Sequence, residues 1–239
     1  VLRNSLTLLF VLFTFALRAE TMTFAIRYLG LKVADVTMTD TRNGNTGLLT
    51  VHAVSTPFAS HLVQMDNTYT STYQGDYLTL TYKKRIIQKD YEEDRTTTYN
   101  RTANQAERVS RIAAQRNRSY AVRPLARDFF CSLFHSRRHL KDPLLLDAAG
   151  AMWSADCREM EKETLRTVLG RVPTIKVQYT FTAADGAKRE RSDILTNNLV
   201  SRGDPLYFWF TNDERRIPVR ASFRMSPFPV SWELESYTP

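Results

Sequence analysis

From Thr174 onward, apolar and polar residues alternate in short runs broken by turn formers, a period-2 pattern that admits little besides antiparallel β-structure. Thr174 to Thr182 reads TIKVQYTFT, Asp185-Gly186 turns it, and Lys188 to Leu195 reads as the return strand. Leu206 to Thr211, a turn at Asn212-Asp213-Glu214, and Arg215 to Arg224 form the next hairpin, and Val230 to Tyr237 closes the chain. Within LYFWFT, Tyr207 and Trp209 face opposite to Phe208 and Phe210, so both faces are apolar and a helix or second layer is expected over the outer one.

The earlier chain reads the same way. Thr21 to Thr39 alternates on both sides of Gly30, a bend or hairpin point, and Asn43-Gly44 suits a tight turn into Leu49 to Val54. Pro57 to Gln64 reads as a short irregular or helical link. Thr68 to Ile87 holds two β-rich runs joined at Gly75-Asp76, and Arg95 to Arg101 continues the pattern. Ala106 to Gln115 has helical propensity between strand-like neighbours and is read as strand.

Asp128 begins the clearest helix, because its carboxylate can accept from a free N–H of the first turn. Phe129, Phe130, Leu133 and Phe134 form one apolar stripe that Leu140 resumes, and Lys141-Asp142-Pro143 stops it. Ser154 to Thr164, rich in Glu, Met and Lys, is a second helical candidate. About ten strands with one or two helices predict a mostly β fold: a curved antiparallel sheet, half-barrel-like, wrapped around the helical part.

The first residues have a different grammar. Arg3 precedes Leu6 to Leu17 (LTLLFVLFTFAL), uncharged and too short for a membrane span, and Arg18-Ala19-Glu20 follows. Residues 1–19 are read as a secretory signal and 20–239 as a single mostly β exported domain, with the periplasm as its compartment and no transmembrane span after cleavage. Losing Arg3 and Arg18 lowers the formal charge of the 239-residue chain from +8 to +6.

The basic excess is uneven. Nine arginines between Arg101 and Arg138 face two acids, Glu107 and Asp128. Guanidinium groups suit phosphate and carboxylate, and the polyanions open to an exported protein are lipid headgroups and wall polymers rather than nucleic acid. Arg108, Arg111, Arg116, Arg118 and Arg123 are therefore candidate contacts to an anionic envelope ligand, against the plainer reading of a solvated sheet face. Cys131 and Cys157 make a disulfide candidate closing a loop of about 27 residues, against two separate buried thiols.

Little else points to chemistry. His135 and His139 at i, i+4 could share a metal, but no third ligand is evident and Arg137, Arg138 and Lys141 oppose a dication, so they read as surface histidines. Ser132 beside Cys131 and near His135 could be imagined as a nucleophile, yet the Phe-Phe-Cys-Ser-Leu-Phe face is more simply core. No nucleophile elbow, glycine-rich phosphate loop or paired-cysteine metal motif occurs, so no catalytic residue, cofactor or metal is assigned. Phe24, Tyr28, Tyr179, Phe181, Phe208, Phe210 and Trp232 could line a lipid cavity or fill a core, since both need the same inward alternation.

The segment Trp209 to Arg220, with Asp213-Glu214-Arg215-Arg216-Ile217-Pro218 at its centre, followed by Trp232-Glu233-Leu234, resembles the closing hairpin of a bacterial exported family, domain of unknown function 3108. Arg27 to Lys32 stands where that family has its opening strand, and Asp128 to Arg138 where it has a short helix. The resemblance implies a curved antiparallel sheet similar to the half-barrels of periplasmic lipoprotein carriers, with no known reaction. Asp213 and Pro218 themselves are explained by a turn and an edge position. The function expected is a non-catalytic periplasmic protein binding an apolar or anionic envelope ligand such as lipid. A structural or protein-interaction component of the envelope and an unrecognised hydrolase are the alternatives.

Overall fold

The computed structural model describes residues 18–61, 64–113, 115–148, 150–184, 190, 192–201, 203–225 and 228–239. Residues 1–17, which hold the apolar run of the signal reading, and the Asp185-Gly186 turn lie outside the described residues.

Eight strands come first: β1 (Arg18–Tyr28), β2 (Leu31–Asn43), β3 (Thr46–Ser55), β4 (Met65–Gln74), β5 (Leu78–Gln88), β6 (Tyr91–Asn100), β7 (Gln105–Ser110) and β8 (Arg118–Ala121). Helix α1 (Phe129–Ser136) follows, then β9 (Leu144–Ala148), β10 (Ala151–Thr167), β11 (Gly170–Ala183), α2 (Ile194–Leu199), β12 (Leu206–Thr211), β13 (Pro218–Met225) and β14 (Phe228–Thr238). All fourteen strands form one antiparallel sheet, in the order β8-β7-β6-β5-β4-β3-β2-β1-β14-β13-β12-β11-β10-β9. Two meanders therefore run outward from a central pair made by the first and last strands, in which Ile26 opposes Trp232.

Local chemistry fixes the hairpins. Leu29 and Gly30, both at positive φ, make the two-residue turn between β1 and β2, where the mirror-image turn matches the strand twist. At Gly47 in β3 the reason is close approach instead: a Cβ would lie 2.2 Å from the ring of Tyr73 on the neighbouring strand.

The sheet curls around α1. Phe130 and Phe134 are fully buried, with Phe130 packed on Tyr69 of β4 at 4.9 Å and Phe134 on Tyr77 at 5.5 Å between ring centres. Asp128 caps the helix as expected: one carboxylate oxygen accepts from the N–H groups of Phe130 and Cys131, and the other accepts from the Thr79 hydroxyl at 2.7 Å. The cap thus ties α1 to β5. The ladder does not close into a barrel, because β8 and β9 remain sheet edges.

Several expectations change. Ser154 to Thr164 is not helical but lies in the seventeen-residue β10, whose long pairing with β11 overrides the helix propensity of Glu, Met and Lys. Of the strand expected over Lys188 to Leu195, Ile194 and Leu195 lie in α2, capped by Asp193, and residues 188, 189 and 191 lie outside the described residues. Strand β7 ends at Ser110, before the Gln115 expected. Helix α1 ends at Ser136, and Leu140 still packs against the core from the following turn. Pro218 opens β13 beside a register shift opposite Phe210, so a strand start and not a sheet edge accommodates it.

Among the described residues no helix or second sheet covers the outer face of β12. Trp209 is covered by the long side chains of its neighbours: the Lys176 ammonium and the Arg220 guanidinium lie 5.1 and 5.2 Å from its ring. Its indole N–H donates to Glu163.

Cys131 and Cys157 do not form the expected disulfide; both are free thiols. Cys131 is directed into the core against Thr79 and Ser71, whereas Cys157 sits on β10 opposite Tyr179. Burial pushes both thiols up, Cys157 to about 12.

Candidate functional site

The sheet opens at the C-terminal end of α1, where the turns after β4 and β12 and the ends of β1 and β2 converge. Two adjoining clefts of about 340 and 410 Å³ meet there, sharing Arg137 and Arg138. The first has Tyr77 and Phe134 in its wall beside Arg42, Arg138 and Arg215, and the second is lined by Arg216, Lys141 and Lys162 among others.

Charge in this mouth is partly committed. Arg137 makes a paired contact to Glu20, both bonds at 2.7 Å, and donates to the carbonyls of Arg215 and Arg216, which locks α1 to β1 and to the β12–β13 turn. Asp40 accepts from the Tyr73 and Tyr77 hydroxyls at 2.5 and 2.8 Å, and burial, with Asp40 adding to it, raises both phenols. That leaves Arg42 stacked on the rings of Tyr73 and Tyr77, at 5.2 and 4.8 Å, and its buried Nη2 has no hydrogen-bond partner among the described residues. Arg138 is exposed, its guanidinium 5.9 Å from the Tyr77 ring, with no carboxylate within 4 Å among the described residues. Arg42 Nε also donates to the Tyr73 hydroxyl at 3.4 Å, and both guanidinium groups line one cleft.

Beside the clefts lies a carboxylate–imidazole cluster. Asp76, in the β4–β5 turn, places Oδ2 at 2.7 Å from Nδ1 of His135 and 2.7 Å from Nε2 of His139. The two imidazole rings stack at 4.4 Å. Burial lowers His135, and the Arg127 guanidinium adds to that, while burial opposes but does not outweigh the two imidazoles that hold Asp76 below its ordinary value. His135 is thus no surface histidine: its side chain is 13% exposed.

Deeper in the half-barrel, a charged network fills the space between β5–β7 and α2 around a cavity of about 30 Å³. Lys84 bridges Asp193 at 2.8 Å and Glu93 at 3.2 Å. Arg95 and Arg108 both reach Glu190 at 3.1 Å. Burial alone would raise Asp193, but the Lys84 ion pair pulls it down to about 2. In this network every named cation has an acidic partner, a structural arrangement.

The five arginines read as ligand contacts are not gathered on one face. Arg108 is buried within this network, and Arg118 bonds Glu190 at 2.7 Å and the Gly150 carbonyl. Arg111 is exposed, 3.8 Å from Asp94, and Arg116 and Arg123 are also exposed. Arg42 and Asp76 were missed, since nothing in the sequence near them marks a site, and Arg138 was read only as a charge opposing a metal at the histidines. The i, i+4 histidines were the one visible half of the cluster. Ser132 is buried in the core, its hydroxyl without a hydrogen-bond partner among the described residues.

The aromatic residues that could have lined a lipid cavity pack instead. Phe24 meets Trp232 at 6.2 Å and Tyr179 meets Phe208 at 5.9 Å, and only Tyr28 of the seven is partly exposed. The space left against Phe129, Leu133 and Phe208 is about 10 Å³.

This architecture is that of a β-barrel-like protein with an incompletely closed sheet. It is similar to the crystal structure of a beta-barrel-like protein of domain of unknown function DUF1849 from Brucella abortus, with a TM-score of 0.56 over 92% of this chain and 96% of that one. At 8% identity the likeness is one of fold alone. The chain belongs to the family described as "Protein of unknown function (DUF3108)", which matches residues 23–227. No curated protein matches the sequence. Among the described residues no helix is long and apolar enough to cross a membrane.

Proposed function

We propose that this DUF3108 protein is an exported, periplasmic envelope protein that binds an anionic group, such as a lipid phosphate, without catalysing a reaction. The observation that carries the reading is the pairing of Arg42 and Arg138 at a headgroup-sized cleft, where among the described residues neither guanidinium has a carboxylate within 4 Å. Tyr77 and Phe134 give that cleft an apolar wall. Spaces of about 30 and 10 Å³ inside the half-barrel are too small for an acyl chain, so the anionic half of the expected ligand is favoured over the apolar half. The apolar run Leu6 to Leu17 with Arg-Ala-Glu behind it supports export. Exposed Arg111, Arg116 and Arg123 are secondary contacts for the same kind of surface.

The test is native mass spectrometry of protein recovered from the periplasm, followed by organic extraction. The reading expects a bound phosphate-bearing lipid, lost in an Arg42→Ala, Arg138→Glu variant. Recovery of ligand-free protein, or of a neutral lipid retained by that variant, contradicts it.

A second reading, a protein-interaction component of the envelope, is favoured by the opposite end of the sheet. Leu29 and Leu31 are 59% and 58% exposed beside the Tyr28–Phe228 ring pair, and Phe58 is 69% exposed. A specific partner lost on Leu29→Ser, Leu31→Ser substitution would support it.

A further inference from the structure

Asp76 and the two histidines come from separate parts of the chain, 59 residues apart for the Asp76–His135 pair, yet one oxygen and two nitrogens converge so that all lie within 4.8 Å of one another. We propose that Asp76, His135 and His139 form a binding site for a divalent transition-metal ion of the zinc class, with a fourth coordination position open to solvent. Two imidazoles and a carboxylate are the donor set such ions take, and the imidazoles disfavour calcium and magnesium.

Two further observations point to a cation here. Asp76 Oδ1 is buried and has no hydrogen-bond partner among the described residues, so the carboxylate has an unused acceptor. His139 Nδ1 lies 3.1 Å from Asp142, a carboxylate that can take its N–H and leave Nε2 free toward Asp76, the outer-shell arrangement that metal-ligating histidines show. The Asp76 backbone is also held: the Arg127 guanidinium donates twice to its carbonyl, at 3.2 and 3.0 Å. The side chains of Asp76 and His139, 36% and 38% exposed, leave an entry path.

The geometry needs little movement. Ligand atoms now 2.7 Å apart must separate to about 3.3 Å for a tetrahedral ion with bonds of about 2.0–2.1 Å. His139 lies beyond the helix end and the Asp76 carboxylate can rotate about its held backbone, so the ligand atoms can part. Arg127, Arg138 and Lys141 lower the affinity for a dication and favour an anion such as hydroxide or phosphate in the fourth position.

Metal-stripped full-length protein titrated with Co²⁺ should bind one equivalent per chain, with the intense visible absorption of a four-coordinate ion, displaced by Zn²⁺. In the wild-type protein Zn²⁺ should shift the imidazole resonances of His135 and His139 and leave those of His52 and His61 in place. His139→Ala and Asp76→Asn should abolish saturable binding while circular dichroism stays that of the wild type. Asp142→Asn should weaken binding by about tenfold or more, and His52→Ala should not. Absence of saturable Co²⁺ and Zn²⁺ binding overturns the proposal. Binding unchanged in His139→Ala, or resonance shifts confined to His52 and His61, does so equally.

Discussion

The Tyr120 hydroxyl on β8 donates to the Asp147 carboxylate on β9 at 2.5 Å, and these two strands are the opposite edges of the sheet. Tyr99 donates to the same carboxylate oxygen at 3.0 Å, and Arg118 reaches the Gly150 carbonyl at 2.9 Å. Side chains therefore join what the backbone ladder leaves open. Hydrogen bonds to a buried charged group contribute about 1.5–3 kcal/mol each, so Tyr120→Phe should lower stability by about that much. Amide exchange should accelerate in β8 before it does in β4 or β5. Unchanged exchange in β8 would show that the seam is not held by this bond.

Acid should destabilise the protein through the Lys84–Asp193 pair. Asp193 lies at about 2 when folded and near 3.8 otherwise. Its folded value is depressed, so its contribution is complete above about pH 4 and is lost as pH falls toward 2, amounting to about 2 kcal/mol. Urea midpoints measured over that window should fall for the wild type and flatten for Asp193→Asn. Lys84→Met, which leaves a buried carboxylate unpaired, should cost about 3–5 kcal/mol near neutral pH.

Gly47 and Tyr73 should behave as a coupled pair. Alanine at 47 places its Cβ in the Tyr73 ring, the ring whose hydroxyl meets Asp40, so Gly47→Ala should cost about 1–3 kcal/mol. In a Tyr73→Ala background the same change should cost almost nothing. A double-mutant cycle from denaturant unfolding measures the difference, and additive costs would contradict the contact.

Much of the β-structure was legible because hairpins are local: Gly30, Asn43-Gly44, Gly75 and Asn212 to Glu214 each announce a turn within a few residues of the strands they join. The cap of α1 was legible for the same reason. What failed depended on distant partners. The Glu-Met-Lys run of β10 is a strand because β11 pairs along it, with Lys176 meeting Glu161 at 2.8 Å. Helix α2 is only six residues long, and its cap Asp193 is satisfied by Lys84 and Tyr69 far back in the chain. Asp76 acquires its histidines only when α1 docks in the sheet, and Arg42 meets Tyr73 and Tyr77 only when β2 and β4 are brought together through β3, so no local pattern could flag them.

The thiols should remain unpaired. Labelling of the unfolded, unreduced protein should find two reactive cysteines, and labelling of the folded protein at neutral pH should be slow at both, since burial disfavours either thiolate. A single disulfide-linked species would contradict the placement of Cys131 against Thr79.

Cosedimentation with phosphatidylglycerol vesicles against phosphatidylcholine vesicles reads out directly whether the mouth beside α1 binds an anionic group through Arg42 and Arg138. Near an anionic surface each basic residue contributes about 1 kcal/mol, so Arg42→Ala with Arg138→Glu should weaken binding about tenfold or more, and rising salt should shrink the difference. Arg111→Glu with Arg116→Glu should weaken it less. Vesicle binding that is equal for the wild type and the Arg42, Arg138 variant, or that shows no preference for the anionic lipid, would contradict the account.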